Sequence, residues 1–217
     1  MAKADVSRET SAPESEPSIA AELFGDRLPL ARAYTADLLR RGEELGLIGP
    51  LEPPRIWTRH IINCALVAPL LRPGQVGDVG SGAGLPGIVL AIARPDVDFV
   101  LIEPMERRVA WLTEQVTILD LDNVTVVRAR AEDYREAVKF DQLTARAVSA
   151  FSKLIPLCTP LLASGGEMVL MKGAGAEREI AAAEKAIRKF RLRDVRVQEL
   201  GIGLDVEPTR VIRATTS

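Results

Sequence analysis

The chain has 217 residues, 47% of them hydrophobic and 27% charged, which is ordinary for a soluble globular protein and enough to bury a core without disulfide staples. A formal net charge of −2 excludes bulk basicity as the means of holding nucleic acid, so any such role needs a local basic patch. Cys64 and Cys158 form no C-x-x-C pair and read as reduced and structural, while the absence of a signal-peptide core or a bilayer-length apolar run points to a cytoplasmic protein.

Residues 1–18 are rich in Ser, Glu, Pro and Ala, carry the whole net charge, and are expected to be a disordered tail. Leu30, Tyr34, Leu38, Arg41 and Leu45 then trace one helical face that ends at Gly46. "LIGPLEPP" is a loop, because its prolines forbid continuous helix. "RIWTRHIINCALVAPLL" reads as a helix with Ile56, Ile61 or His60, Cys64, Val67 and Leu71 inward. From residue 75 the texture becomes alternating. "QVGDVG" is a strand, "GIVLAIARP" a helix stopped before Pro95, "VDFVLIEP" a strand and "MERRVAWLTEQVTILD" a helix. "VTVVRAR" is a strand, "AEDYREAV" a short helix or loop, "FDQLTARAV" a strand, and "FSKLIPLCTPLL" a helix with internal prolines. "GEMVLMKG" is a strand and "AEREIAAAEKAIRKF" a helix. "VRVQEL" and "TRVIRAT" lie too close together for a crossover helix and should pair antiparallel. The expected fold is α/β and Rossmann-like: a mostly parallel seven-stranded sheet with an antiparallel last strand, after N-terminal helices.

The chemistry concentrates in "VGDVGSGAGLPG", residues 76–87. A glycine loop at the carboxyl end of the first strand is where an open α/β sheet takes its ligand. Gly82 to Gly87 spell G-x-G-x-x-G, so a dinucleotide is one reading. Asp78 argues against it, since a carboxylate before the first glycine opposes a pyrophosphate. S-adenosylmethionine has no phosphate and carries an ammonium and a sulfonium, so the same acid favours it. Gly80, Gly82 and Gly84 let backbone approach the ligand where a Cβ would collide. Glu103, ending the second strand, suits ribose hydroxyls, although an acid at a helix N-terminus is the plainer alternative. Pro86 fits the first turn of the following helix.

The stretches "RHIINCALVAPLL", "DVGSGAGLPGIVLAIARPD", "RRVAWL", "NVTVVRARAED", "FDQLTARAV" and "MKG" go further. Over about residues 55–175 they resemble the ribosomal RNA small-subunit methyltransferase G family, also called glucose-inhibited division protein B. The resemblance implies methyl transfer from S-adenosylmethionine to N7 of a guanine in the 530 loop of 16S rRNA. The expected organisation is a tail at 1–18, a helical cap at 19–73 and a cofactor-binding core at 74–217, with a monomer as the expected state. Cofactor contacts carry over to Gly80, Leu85, Ala131, Glu132 and Arg146, with Asp78 and Glu103 as the acids. One departure is Asn63-Cys64, where the family commonly has Asp-Ser, so a carboxylate is lost.

Guanine N7 offers a lone pair and carries no proton, so no general base is required and catalysis should rest on positioning. Arg146, Lys172 and His60 are the positioning candidates, His60 being first of all a structural or substrate-contact residue. No residues stand at zinc-site spacing. Arg59, Arg107, Arg108, Arg128, Arg130, Arg146 and Lys172 fall near ligand-side strand ends and could hold phosphates. Arg107 and Arg108 could instead pair with Glu103 one turn away. Arg146 suits the cofactor carboxylate and Lys172 a phosphate. Trp57 and Tyr34 could stack on a base, with core packing the first expectation for both. A non-catalytic RNA-binding protein, a methyltransferase of another substrate and an NAD(P) oxidoreductase are the rival readings.

Overall fold

The computed structural model describes residues 12–134 and 139–217. Residues 1–11 of the expected tail, and residues 135–138 of "AEDYREAV", lie outside them. Residues 12–18 correct the tail expectation, because they are tied to the cap. Glu14 N–H donates to the Pro53 carbonyl at 3.1 Å, and its carboxylate accepts from Thr58 N–H at 3.0 Å. Glu16 pairs with Arg32 at 2.6 Å.

The cap holds α1 (Ile19–Phe24) and α2 (Leu28–Arg41). α2 ends earlier than its hydrophobic spacing predicts. The Gly42 carbonyl turns to accept from both Leu47 and Ile48 N–H, so Leu45 sits in a turn rather than on the helix. The expected helix over 55–71 is real but irregular. Ile56–Ile62 is a wide π-type turn that runs into α3 (Asn63–Ala65), and Pro69 lies in a further short turn over Ala68–Leu70. The widening brings Trp57, His60, Ile61, Ile62 and Cys64 all to the buried side. A regular helix would have turned some of them outward.

The core alternates strands and helices: β1 (Gln75–Val79), α4 (Gly87–Ala93), β2 (Asp98–Ile102), α5 (Glu106–Ile118), β3 (Val124–Val127) and β4 (Phe140–Arg146). Then come α6 (Phe151–Cys158), β5 (Leu162–Lys172), α7 (Ala176–Ala182), α8 (Glu184–Lys189), β6 (Arg193–Leu200) and β7 (Thr209–Thr215). The single helix expected after β5 is broken at Ala183. The seven strands order as β3-β2-β1-β4-β5-β7-β6, and β7 runs antiparallel to both neighbours.

Strand alternation divides the core into two layers. Phe99 and Leu101 face the cap, α4 and α5, whereas Val100 and Ile102 face the α6–α8 side. The order reverses between β1 and β4, so their carboxyl ends open a crevice at the topological switch point. Among the described residues no helix is long and apolar enough to cross a membrane.

Candidate active site

β1 leads straight into the glycine loop, and the N–H groups of its glycines are already employed. Gly80 donates to the Ile102 carbonyl (2.8 Å) and Gly84 to that of Ser81 (2.8 Å). Gly82 donates to Glu103 Oε2 (2.9 Å) and Gly87, the first residue of α4, to Asp78 Oδ2 (3.1 Å). A pyrophosphate needs free N–H donors at such a turn. Here carboxylates hold two of them, which disfavours an anion at this loop. Two positions require glycine. Gly80 sits at φ +71° with Val148 pressed against it, and Gly84 at φ +99° leaves no room before Ile88. On the far side, the Ala83 carbonyl accepts from Tyr34 Oη (2.9 Å) and Trp111 Nε1 (2.8 Å). Tyr34 and Trp57 are buried, as core packing requires, and neither presents a face to a base.

Asp78 corrects its expected role. Its side chain shares the cap-facing side of β1 with Val76, is fully buried, and does not line the cavity. It braces the start of α4 from beneath. Burial pushes its carboxyl up to about 7, and Oδ1 has no hydrogen-bond partner. The acid therefore disfavours a dinucleotide by occupying a helix-start N–H, not by facing the ligand.

Above the loop lies a cavity of about 600 Å³, lined by Gly80, Ser81, Gly82, Leu85, Glu103 and Arg146, among others. Glu103 accepts from Gly82 N–H and Met105 N–H, each at 2.9 Å. A carboxylate has about four lone-pair sites, so two remain for a ligand diol. It forms no ion pair with Arg107 or Arg108 among the described residues. Arg108 lines the cavity and Arg107 is exposed. Arg128 pairs with Glu106 at 3.0 Å, and Arg130 is exposed. Ala131 is buried in the α6-side core and Glu132 is exposed; neither lines this cavity.

Arg146, at the end of β4, is clamped to the π-type turn. It donates to His60 Nδ1 (2.8 Å), the Arg59 carbonyl (3.2 Å) and Cys64 Sγ (3.4 Å). The other imidazole nitrogen, Nε2, meets Glu52 at 2.6 Å. Burial and then the Arg146 charge lower His60 to about 4, so the ring is neutral near pH 7 and donates to Glu52. Glu52 resists the upward pull of burial and stays below the ordinary carboxylate range, chiefly through His60 and Arg55. Sequence reading missed Glu52, because it lies in a proline-rich loop that joins the site only through the fold. Arg59 also reaches Glu52, at 3.3 Å.

A second cavity, about 630 Å³, shares Arg59, Arg146, Ala147 and Val148 with the first. Asn63 lines it and donates to Thr209 Oγ1 at 2.6 Å, while the Thr209 hydroxyl donates back to the Asn63 carbonyl. The amide at 63 thus has a hydrogen-bonding role that ties the cap to β7. Lys172 also borders this cavity but is not the free cation expected for a phosphate. Its side chain is 8% exposed, and its ammonium pairs with Glu179 at 2.8 Å and donates to the Ser149 carbonyl at 2.7 Å. It braces the turn after β4 instead.

A family model described as rRNA small subunit methyltransferase G matches residues 27–206. The chain belongs to that family. It is 71% identical over 201 residues to a protein of Clavibacter sepedonicus named ribosomal RNA small subunit methyltransferase G, covering 93% of this chain and 95% of the relative. The protein of the same name from Corynebacterium glutamicum is 48% identical, covering 90% of both chains. Solved structures share the fold at low identity. A SAM-dependent O-methyltransferase from Thermotoga maritima superposes with a TM-score of 0.54 at 18% identity, over 71% of this chain and 64% of that one. The N-methyltransferase NodS from Bradyrhizobium japonicum, in complex with S-adenosyl-L-homocysteine, gives 0.54 at 17% identity, over 84% and 98%.

The chain is thus a member of a family of rRNA methyltransferases, and its residues fit S-adenosylmethionine. A Cβ at Gly82 would meet only the Gly80 carbonyl oxygen, at 3.8 Å, Glu103 keeps lone pairs for the ribose, and Leu85 and Met105 give apolar walls. Arg146 has no carboxylate partner among the described residues, which leaves its charge for the ligand's carboxylate. The volume lies within the usual range of small-molecule sites.

Proposed function

We propose that the chain methylates N7 of a guanine in the 530 loop of 16S rRNA, acting in the cytoplasm on the small ribosomal subunit. The observation that carries this reading is the shared wall between the two cavities. A ligand in the glycine-loop cavity lies beside a second space of similar size, and Arg59, Arg146, Ala147 and Val148 line both.

When bound, S-adenosylmethionine supplies an electrophilic methyl group on a sulfonium. The chain's task is to bring a nucleophile into line with it. N7 attacks with its own lone pair, so no side chain must remove a proton. The site agrees with that requirement. His60 is neutral, but both its nitrogens are engaged, by Arg146 and by Glu52. It positions Arg146 rather than acting as a base. Holding the two reactants at contact distance is the main source of rate.

The test is methyl transfer from labelled S-adenosylmethionine to small subunits from cells lacking this protein. Borohydride and aniline treatment should then cut the 16S rRNA at one guanine. Label in another RNA or in small molecules would overturn the substrate, and no label anywhere would favour a binding protein.

A further inference from the structure

The chain is weakly acidic overall, yet one corner of it is strongly basic. Lys185, Arg188 and Lys189 lie on α8, Arg191 in the turn after it, and Arg193 and Arg196 on β6. All six are exposed. Only Arg188 has an ion-pair partner among the described residues, Glu184 at 2.8 Å, and the segment's one other acid is Asp194.

Protecting an edge strand explains charges on β6 itself, because β6 is the last strand of the sheet. It does not explain three cations on α8, at i, i+3 and i+4, which crowd one helix face and repel one another. Nor does it explain their continuation through Arg191 onto the strand. Unpaired like charges kept together destabilise the isolated protein slightly and are compensated by a polyanion.

We propose that this corner is a second RNA-docking surface, which holds phosphates of the rRNA away from the methylated guanine. The proposal rests on the rRNA reading above. Arg193 pairs with Thr215, which is level with Glu167 midway along β5 and with Gln142 near the amino end of β4, whereas Arg146 ends β4 at the opposite end. β6 is also four strand spacings from β1, roughly 20 Å across the sheet. A short hairpin filling the guanine site does not span both places. A folded ribosomal particle does, so the surface selects assembled rRNA over fragments.

The experiment compares the parent protein with the triple variant Lys185→Gln, Lys189→Gln, Arg191→Gln on small subunits and on a short RNA hairpin carrying the 530 loop. None of these side chains touches either cavity. Retention of the adenosylhomocysteine thermal shift shows that the variant is folded. KM for small subunits should rise about tenfold with kcat unchanged, and the salt dependence of subunit binding should flatten by about two to three counterions. KM for the hairpin should not move. The triple variant Lys185→Arg, Lys189→Arg, Arg191→Lys should behave as the parent.

A photoreactive group at position 191 should crosslink to rRNA. Unchanged KM and salt slope on subunits, equal losses on both substrates, or crosslinks solely to a protein would overturn the proposal. If the parent itself transfers no methyl to subunits, it is the proposed function that fails, while subunit binding and its salt slope still decide the surface.

Discussion

The Ala83 carbonyl at the crest of the glycine loop accepts two hydrogen bonds, from Tyr34 and Trp111, on helices α2 and α5. Both donors are buried. Tyr34→Phe removes one of them and leaves the oxygen satisfied by the other, so it should destabilise by about 1 kcal/mol, the net worth of a neutral hydrogen bond. Trp111→Phe removes the other donor and some ring volume, for about 1–3 kcal/mol. Only the double variant leaves the buried oxygen without a donor. It should therefore exceed the sum of the single variants by about 1–3 kcal/mol, the desolvation penalty of an orphaned acceptor.

Urea unfolding of the four proteins measures that coupling. The loop should also shift toward the cavity that Ala83 lines. Calorimetric titration should show adenosylhomocysteine affinity about tenfold weaker in the double variant, equivalent to about 1.4 kcal/mol, and less than threefold weaker in Tyr34→Phe. Energies additive to within about 0.3 kcal/mol, together with unaltered affinity in the double variant, would refute the idea that these two donors hold the cradle.

Asp78 and His60 should give opposite pH slopes in one window. Burial raises Asp78 to about 7, so its stabilising effect is complete below its ordinary value near 4 and is lost as pH rises toward 7. Burial and Arg146 lower His60 to about 4, so its contribution is complete above about 6.5 and is lost as pH falls toward 4. Unfolding measured from pH 4 to 7 should therefore show Asp78→Asn gaining on the parent as pH rises, and His60→Gln gaining as pH falls; parallel profiles would contradict both assignments. Lys172→Met should lower stability by about 2 kcal/mol, less than for a fully buried pair because Glu179 is part exposed, and adding Glu179→Leu should recover only part of it, because Glu179 also accepts from Phe151 N–H. Weaker RNA binding at an unchanged urea midpoint would instead restore Lys172 as a phosphate contact.

The strand–helix alternation and the antiparallel ending were readable because short apolar runs, buried on both faces and broken by Gly and Pro, leave few alternatives. The glycine loop and Glu103 were readable because their spacing fixes where a strand ends. Three things were not. Asp78 stands in the right motif, yet which face of β1 it takes depends on how α4 packs. Lys172 looked free at a strand end, but Glu179 reaches it from α7, seven residues on and in another element. Glu52 lies in a loop whose prolines say only that it is not helical; its partner His60 sits on a turn whose widening no periodicity announced. Each case needed a tertiary neighbour to assign a role.

The occupied N–H groups of the glycine loop bear on life among competitors. ATP and the nicotinamide dinucleotides share an adenosine with the methyl donor and abound wherever ribosomes are built. A turn in which Gly80, Gly82, Gly84 and Gly87 N–H already serve its own carboxylates and carbonyls gives their phosphates little to hold. Rejection is thus built into folding, before any nucleotide arrives, and the enzyme can work in their presence without a gate to keep them out.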